Sequence, residues 1–242
     1  MTYQYKSVSQ TGFRREENED ALGVFEIDGG VLAIVCDGLG GNKAGEVASQ
    51  LSVETISSSF MKSESGNYLE RITKAVQEAN SIIFNKSSSY SHLKGMATTA
   101  EVLFIQDTKI YWGHIGDSRI YFFEDNKLKQ LTKDHSLVQK LMDNGLLTLK
   151  DAEFHPNKNI ITRALGDSIS AEIDLSESKI NPEDCYLFLV CTDGVTTGVN
   201  NEELEEILML KNLGQISEKL SSIIEERGAP DNYSFVLISK NC

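Results

Sequence analysis

A chain of 242 residues with 40% hydrophobic and 24% charged side chains has a globular composition, which excludes a disordered, collagen-like or disulfide-scaffold protein. It has 23 Lys and Arg residues and 36 Asp and Glu residues, and the resulting formal charge of −13 disfavours nucleic acid and anionic membranes as partners. No linker-like stretch interrupts the sequence, so we expect one domain over residues 1–242.

The sequence predicts a cytoplasmic protein. Its first residues contain no apolar signal core, and its longest apolar runs, such as 31–36, are too short to cross a bilayer. The four cysteines show no CxxC spacing, and two of them, Cys36 and Cys191, lie in apolar runs where a thiol behaves as a small hydrophobe. We therefore expect a reducing compartment.

Helical patterns come first along the chain, and strand patterns follow. Apolar residues recur at helical spacing over 44–51 and 69–83, and Asn67 and Glu70 have the spacing of a capping box before the second helix. Four strands with short connections are then predicted at 101–105, 109–115, 119–123 and 127–131. Such short connections require antiparallel pairing, which argues against a doubly wound nucleotide-binding sheet.

The last part of the chain repeats the mixture of helix and strand. Helices are predicted over 201–210 and 213–227, the second ended by Gly228, and a final strand over 234–238. The strands 31–36 and 186–191 are apolar at nearly every position. Because such strands must be covered on both faces, we expect two antiparallel sheets packed together with helices outside them.

Acidic residues stand at the ends of several predicted strands. They are Asp37 after 31–36, Asp117 after 109–115, Asp193 after 186–191, and Asp231 before the final strand. If these ends converge, the carboxylates repel one another unless a cation lies between them. Oxygen ligands without Cys or His suit Mg²⁺ or Mn²⁺ better than zinc, and Gly38 allows a close approach of backbone that could present its carbonyl as a ligand.

Other interpretations of these motifs are weaker. A single Asp-Gly after a strand is more often a simple turn, and only the recurrence of the pattern favours a site. The turn 38–43 lacks the last glycine of a dinucleotide-binding motif and the Gly-Lys-Ser/Thr of a P-loop. The sequence also contains no calcium-binding loop and no Gly-x-Ser-x-Gly elbow for a serine nucleophile.

Seven segments together resemble the metal-dependent protein serine/threonine phosphatases of type 2C (PPM), in the short form of the bacterial branch. In chain order they are Arg15-x-x-Asn18-Glu19-Asp20, Val35-Cys36-Asp37-Gly38-Leu39-Gly40-Gly41, Gly95-Met96-Ala97-Thr98-Thr99, Gly116-Asp117-Ser118-Arg119, Ile161-Thr162-Arg163-Ala164-Leu165-Gly166, Thr192-Asp193-Gly194 and Asp231-Asn232. Each is weak alone, but their order and spacing over nearly the whole chain make a chance match implausible.

The resemblance implies an α+β fold, a four-layer α/β/β/α sandwich with two Mn²⁺ or Mg²⁺ ions at one edge. Asp37 would bridge the ions, Asp193 and Asp231 would complete the first, and the Gly38 carbonyl would serve the second. Glu19 and Asp20 would hold metal-bound waters, and Asp117 with Asp193 would hold a third, weaker ion. The implied reaction is direct attack of a metal-bridging hydroxide on phosphoserine or phosphothreonine in proteins, with Asp37, Asp193 and Arg15 as catalytic residues.

Arg15 is the expected substrate-binding residue, because its planar guanidinium can bind two phosphate oxygens. The alternative is that Arg14 and Arg15 merely balance Glu16 and Glu17. Animal relatives carry a histidine where this chain has Leu39, so no protein residue is assigned as the general acid. His135 lies in a recurrent family segment but is equally interpretable as structural at the start of a helix, and His114 and His92, which have no evident partner, are taken as structural.

Residues 138–166 correspond to the mobile flap beside the cleft in bacterial relatives, and we call them the flap. The expected partners are phosphoproteins, targets of a Ser/Thr kinase, with no nucleic acid, no membrane and a monomeric chain. Two other functions stay open at this point. One is a binding module that keeps the fold but has lost turnover, which the intact acidic set and Arg15 disfavour. The other is a two-metal nuclease, which the acidic surface disfavours.

Overall fold

The computed structural model describes residues 3–27, 29–40, 44–181 and 183–240. It contains strands β1 (Gln4–Gln10), β2 (Asp20–Ile27), β3 (Gly30–Leu39), β4 (Ala97–Thr98), β5 (Ala100–Gln106), β6 (Lys109–Ile115), β7 (Arg119–Glu124), β8 (Lys127–Gln130), β9 (Asp174–Lys179), β10 (Tyr186–Cys191) and β11 (Tyr233–Lys240). The helices are α1 (Ala44–Lys62), α2 (Tyr68–Ser89), α3 (Leu137–Asp143), α4 (Leu149–Glu153), α5 (Asp193–Gly198), α6 (Asn201–Leu208) and α7 (Leu213–Glu226), with a short 3₁₀ turn at Ser91–Leu93.

The strands form two antiparallel sheets that pack face to face. One sheet has the order β1-β11-β10-β7-β8, and the other has the order β2-β3-β5-β6-β9 with β4 paired to the end of β3. Helices α1 and α2 cover the second sheet, and α5, α6 and α7 cover the first. The predicted four-layer α/β/β/α sandwich is confirmed.

The two all-apolar strands lie inside their sheets and are buried on both faces. In β3, Leu32 and Ile34 pack under α1 and α2, whereas the alternate residues of the same strand pack between the sheets. In β10, Leu187 and Leu189 pack against the α5–α7 layer, whereas Phe188 packs between the sheets. This alternation between two hydrophobic cores explains why neither strand shows a polar face.

Some local expectations need correction. The strands β1 and β9 were not predicted, because both lie at sheet edges and carry mostly exposed polar residues without an apolar face. Asn67 does cap α2 by accepting from the Leu69 and Glu70 N–H groups, but Glu70 accepts from the Asn67 side-chain amide rather than from its backbone. The reciprocal capping box is found instead at Asn200 and Glu203 of α6.

The cysteines behave in two ways. Cys36 and Cys191 are free and fully buried, as their apolar neighbours predict. Cys185 is disulfide-bonded, which the spacing of the cysteines does not predict. Among the helices of the described residues, none combines the length and apolarity needed to cross a membrane.

Candidate metal centre and active site

Strand register brings the predicted acids to one edge of the sandwich, which we call the acidic rim: Asp20, Asp37, Asp117, Asp193 and Asp231. In the second sheet Asp20 lies directly opposite Asp37. In the first sheet Cys191 faces Arg119 on one neighbour and Phe235 on the other. If the same pairing is continued two residues past these strand ends, Asp193 lies beside Asp117 and near the segment that leads into β11.

The two sheets are tied together at the rim by a hydroxyl group. Thr192 donates its Oγ1 hydrogen to Asp20 Oδ2 at 3.0 Å, and its backbone N–H donates to the Ser234 carbonyl at 3.0 Å. Thr192 therefore joins β10 and β11 of one sheet to β2 of the other. The electrostatic neighbours of the Asp37 carboxyl are Asp20, Asp193, Asp117 and Asp231, which identifies it as the centre of the rim.

Threonines fix the backbone of Asp37. Its N–H donates to Thr99 Oγ1 at 2.9 Å, and its carbonyl accepts from Thr98 Oγ1 at 2.8 Å and from the Thr99 N–H at 2.9 Å. Thr99 Oγ1 is also 2.8 Å from Ser118 Oγ, next to Asp117. The Gly95–Thr99 motif thus positions Asp37 through the main chain and leaves the carboxylate without a cation of its own.

Glycines and one asparagine allow the close packing behind the rim. A Cβ at Gly38 would overlap the carbonyls of Gly45 and Glu19, and a Cβ at Gly194 would overlap the Asn232 carbonyl. Asn232 Oδ1 accepts from the Glu19 N–H at 2.9 Å, and its Nδ2 donates to the carbonyls of Thr11 and Glu17 at 2.7 and 2.9 Å. The predicted Gly38 and Glu19 therefore lie at the rim as well, whereas Gly41 of the motif is outside the described residues.

Arg15 lies at the same edge and is paired with a predicted ligand. Its Nη2 donates to Asp231 Oδ2 at 2.8 Å, across 216 positions of sequence, and Asp231 Oδ1 accepts from the Asn232 N–H at 2.8 Å. The Arg15 side chain is 48% exposed. Arg15 therefore has an ion-pair partner other than Glu16 and Glu17, the partners of the alternative interpretation. It lies at the rim and is partly open to solvent.

Burial and mutual repulsion disfavour charge at the rim. Burial, followed by the neighbouring carboxylates, raises the pKa of Asp37 well above its usual value, and the same causes raise the pKa of Asp193. Burial also raises the pKa of Asp20 and of Asp117 to about 7. These shifts identify the rim as a place where positive charge would be strongly stabilising.

The residues present fit hard divalent cations. Asp117 Oδ1 is buried and has no hydrogen-bond partner among the described residues, as expected of a ligand oxygen. The donor set is made of carboxylate and carbonyl oxygens, which suit Mg²⁺ or Mn²⁺. Within the described part of the chain, no three His, Cys, Asp or Glu side chains are close enough to form a complete cage as they stand, and Asp231 is directed to Arg15.

A cleft of about 740 Å³ opens from the rim toward the flap. Its lining includes Asp117 and Asp193 of the rim and Val138, Met142 and Lys158 of the flap. The predicted flap contains α3 and α4, and α3 has no buried residue. A bound substrate in this cleft would lie between the acidic rim and the flap.

His114, which has no evident partner in the sequence, and His135 belong to one buried network. His114 Nδ1 is 2.6 Å from Glu101 Oε1, with both side chains at most 1% exposed. Burial lowers the pKa of His114 but Glu101 raises it more, with a net rise to about 9. Burial, with the His114 charge, lowers the pKa of His135 to about 4, so that His135 is neutral at pH 7. The pairing of Glu101 with His114 could have been predicted from the β5–β6 hairpin, because the two residues are cross-strand partners in it.

Known proteins resemble the whole chain. A family model described as protein phosphatase 2C matches residues 14–229. The chain is 37% identical over 235 residues to the serine/threonine phosphatase stp of Listeria welshimeri, which covers 94% of this chain and 92% of that protein. The crystal structure of the Mycobacterium tuberculosis serine/threonine phosphatase PstP/Ppp is similar with a TM-score of 0.90 and 31% identity, over 98% of each chain.

A structure with metal is also similar. It is the catalytic domain of the serine threonine protein phosphatase PstP in complex with two manganese ions. The TM-score is 0.85 at 30% identity, over 98% of this chain and 97% of that chain.

The first prediction concerns the repulsion at the rim. In an unfolded chain an Asp has a pKa of about 4, whereas Asp117 in the fold has a pKa of about 7. The folded carboxyl keeps its proton to higher pH, so the stability of the metal-free protein falls as pH rises from about 4 to about 7. We expect Asp117→Asn to raise the Tm at pH 8 in chelator by roughly 2–4 °C or more, and much less at pH 5.

Differential scanning calorimetry across this pH range measures the effect. Asp125→Asn, in the exposed turn between β7 and β8, is the matched control and should leave the Tm unchanged. An Asp117→Asn protein that is less stable than the parent at pH 8 would contradict the repulsion argument.

Proposed function

The chain belongs to the protein phosphatase 2C family and is a protein serine/threonine phosphatase, and we propose that it hydrolyses phosphoserine and phosphothreonine in proteins with divalent cations held at the acidic rim. The observation that supports this most is the convergence of Asp20, Asp37, Asp117 and Asp193 around one buried point. Asp231 and Arg15 lie at the same edge.

Each rim residue has a role in this proposal. Asp37 would contact two cations because it is at the centre of the cluster, with Asp193, Asp231 and the Gly38 carbonyl as further ligands. Glu19 and Asp20 would hold cation-bound waters, and Asp117 would hold a third ion together with Asp193. When bound, Mn²⁺ or Mg²⁺ would lower the pKa of a coordinated water toward neutrality and so supply hydroxide for attack on phosphorus.

Arg15 would bind the phosphoryl group of the substrate. Its guanidinium is at the rim, half exposed, and already paired with a carboxylate oxygen at 2.8 Å. A tetrahedral phosphoryl group also presents two charged oxygen acceptors side by side, so it would bind the open side of the guanidinium. The loop that carries Arg15 is held by the Phe13 N–H, which donates to the Ala229 carbonyl at 2.8 Å, and by Asn232.

The leaving alkoxide has no assigned protein acid. Leu39 stands where animal relatives carry a histidine, and the histidines nearest the rim are engaged elsewhere. His114 binds Glu101 and the Lys133 carbonyl, and His135 accepts from the Gly116 N–H. Because a proton donor must reach the substrate oxygen directly or through one water, these buried rings are not candidates.

The second prediction tests metal-dependent hydrolysis. With added Mn²⁺ the protein should hydrolyse p-nitrophenyl phosphate and a phosphothreonine peptide, and chelator should abolish both activities. Asp193→Asn should lower kcat by about a hundredfold or more, because a lost ligand removes several kcal/mol of charge stabilisation. Asp125→Asn is the control, far from the rim. Turnover that is unaffected by chelator would overturn the proposed mechanism, and cleavage of the aryl phosphate alone would argue against protein substrates.

The third prediction concerns Arg15. Arg15→Ala should lower kcat/KM for the phosphopeptide by about 10–100-fold, since a hydrogen-bonded charge contact contributes about 1.5–3 kcal/mol. Arg15→Lys should recover only part of that loss, because an ammonium group cannot bind two oxygens as a fork. Steady-state kinetics measures both variants. Arg14→Ala removes the exposed neighbouring charge as the matched control. Equal losses in the Arg14 and Arg15 variants would indicate general charge balance.

The fourth prediction concerns the flap. Lys158 lines the cleft, whereas Lys150 of the same flap is exposed outside it. We expect Lys158→Ala to raise KM for a phosphoprotein several-fold and to leave the kinetics of the aryl phosphate nearly unchanged, because only the larger substrate reaches the flap. Lys150→Ala is the matched control. Equal losses on both substrates would count against a substrate-contact role for this part of the flap.

A further inference from the structure

His135 holds the residue before Asp117 from two sides. Its backbone N–H donates to the Gly116 carbonyl at 2.7 Å, and its Nδ1 accepts from the Gly116 N–H at 3.1 Å. Gly116 has a φ of +118°, and a Cβ there would overlap the Thr99 side chain. The peptide units on both sides of Gly116 are therefore fixed, and they determine where the Asp117 carboxylate lies.

The His135 ring has a defined tautomer. Because Nδ1 accepts a hydrogen bond, the ring proton is on Nε2, which donates to Asp174 Oδ2 at 3.2 Å. Arg163 Nη1 donates to Asp174 Oδ1 at 3.0 Å and lies 3.1 Å from His135 Nε2. Since both Nη1 and Nε2 carry hydrogen, the Asp174 carboxylate is the acceptor that they share. This arrangement fixes the rotation of the ring.

The buried pair of Glu101 and His114 supports residues 133–135, the segment that contains His135. His114 Nε2 donates to the Lys133 carbonyl at 2.9 Å, and its ring centroid is 4.4 Å from that of His135. Beside them, Asp134 accepts from the Arg119 guanidinium at 2.7 Å. Three consecutive residues, 133–135, are thus held by three different groups, which is more restraint than the start of a short helix requires.

His135 and its neighbour Ser136 also close the base of the flap. The Thr162 N–H donates to the His135 carbonyl at 2.7 Å, and Ser136 pairs with Ile161 as an isolated bridge. His135 therefore lies between the base of the flap and Gly116, and it is hydrogen-bonded to both.

We propose that His135 is a positioning residue that sets the Asp117 carboxylate for cation binding, with Nδ1 as the atom through which it acts. This inference rests on the proposed function, because the role of Asp117 as a ligand belongs to that proposal. It assigns no contact between His135 and substrate or cation. The consequence is specific: loss of the Nδ1 acceptor weakens the cation site that uses Asp117 and leaves the sites centred on Asp37 in place.

Two substitutions separate the nitrogen atoms of the ring. In His135→Asn the side-chain oxygen can occupy the position of Nδ1 and still accept from Gly116. In His135→Gln the amide reaches the position of Nε2 and leaves the Gly116 N–H without its acceptor. His92→Gln, at an exposed histidine outside the network, is the matched control.

Two measurements read the effect without relying on activity. Hydrogen exchange of the Gly116 amide in the metal-free protein, followed by NMR, should be fast in His135→Gln and slow in the parent and in His135→Asn. Binding of Mn²⁺, followed by the EPR signal of the free ion, should show the weakest class of sites weakened by about 10–100-fold in His135→Gln, the range typical of residues that orient metal ligands. His135→Asn should stay within a few-fold of the parent.

The outcomes distinguish this inference from the proposed function. Asp117→Asn should abolish the same weak class of Mn²⁺ sites, and if it leaves all Mn²⁺ binding unchanged, the proposed role of Asp117 is wrong. If Asp117→Asn weakens binding but folded His135→Gln binds Mn²⁺ like the parent, or if His135→Asn fails as badly as His135→Gln, the positioning role is overturned. Should His135→Gln not fold, Asp174→Asn, at a 57% exposed side chain, should produce a smaller loss in the same class of sites, and no loss would overturn the inference.

Discussion

Repulsion among buried carboxylates is the constraint on which the rest of this structure depends. Register in two different sheets brings Asp20, Asp37, Asp117 and Asp193 together, and burial raises the pKa of each. The folded chain must hold these groups together although they destabilise it, and the three hydrophobic clusters around the sheets supply the stability that offsets this cost. The same arrangement favours cations at the rim at neutral and higher pH, because once the carboxyls lose their protons positive charge is what relieves the repulsion.

The groups that form hydrogen bonds with Asp37, Asp20 and Glu19 at the rim are uncharged. Thr98 and Thr99 bind the backbone of Asp37, Thr192 binds Asp20, and Asn232 organises the loop that carries Glu19. A lysine or arginine in these positions would neutralise the carboxylates and compete with cations for them. These hydroxyl and amide groups orient the main chain and the Asp20 carboxylate without adding positive charge to the site. Arg15 is the exception among the rim residues described, and it pairs with Asp231 at the more exposed side of the site.

The sequence predicted the parts of the fold that have strong patterns. The strands β3 and β10 are predictable because both their faces are buried. The acids that follow them are expected to converge only if the ends of these strands meet at one edge. The edge strands β1 and β9 carry no such pattern and were missed. The pairing of Arg15 with Asp231 joins residues 216 positions apart, which no local pattern encodes. The pairing of Glu101 with His114 was within reach, because the predicted hairpin sets them opposite each other once its register is counted from the turn.

The flap and the rim differ in burial, and His135 lies between them. The rim residues lie in strands or within two residues of strand ends, whereas α3 buries no residue and Leu146, Leu149 and Phe154 of the flap are 71–80% exposed. Few buried contacts place the flap at the low-stability end of the molecule. Because its base is closed by the Ser136–Ile161 bridge, the flap can differ in conformation without displacing Gly116. Under the proposed function, substrate selection by the flap and hydrolysis at the rim would belong to separate parts of the chain, and the geometry of the rim would not depend on the protein bound beside it.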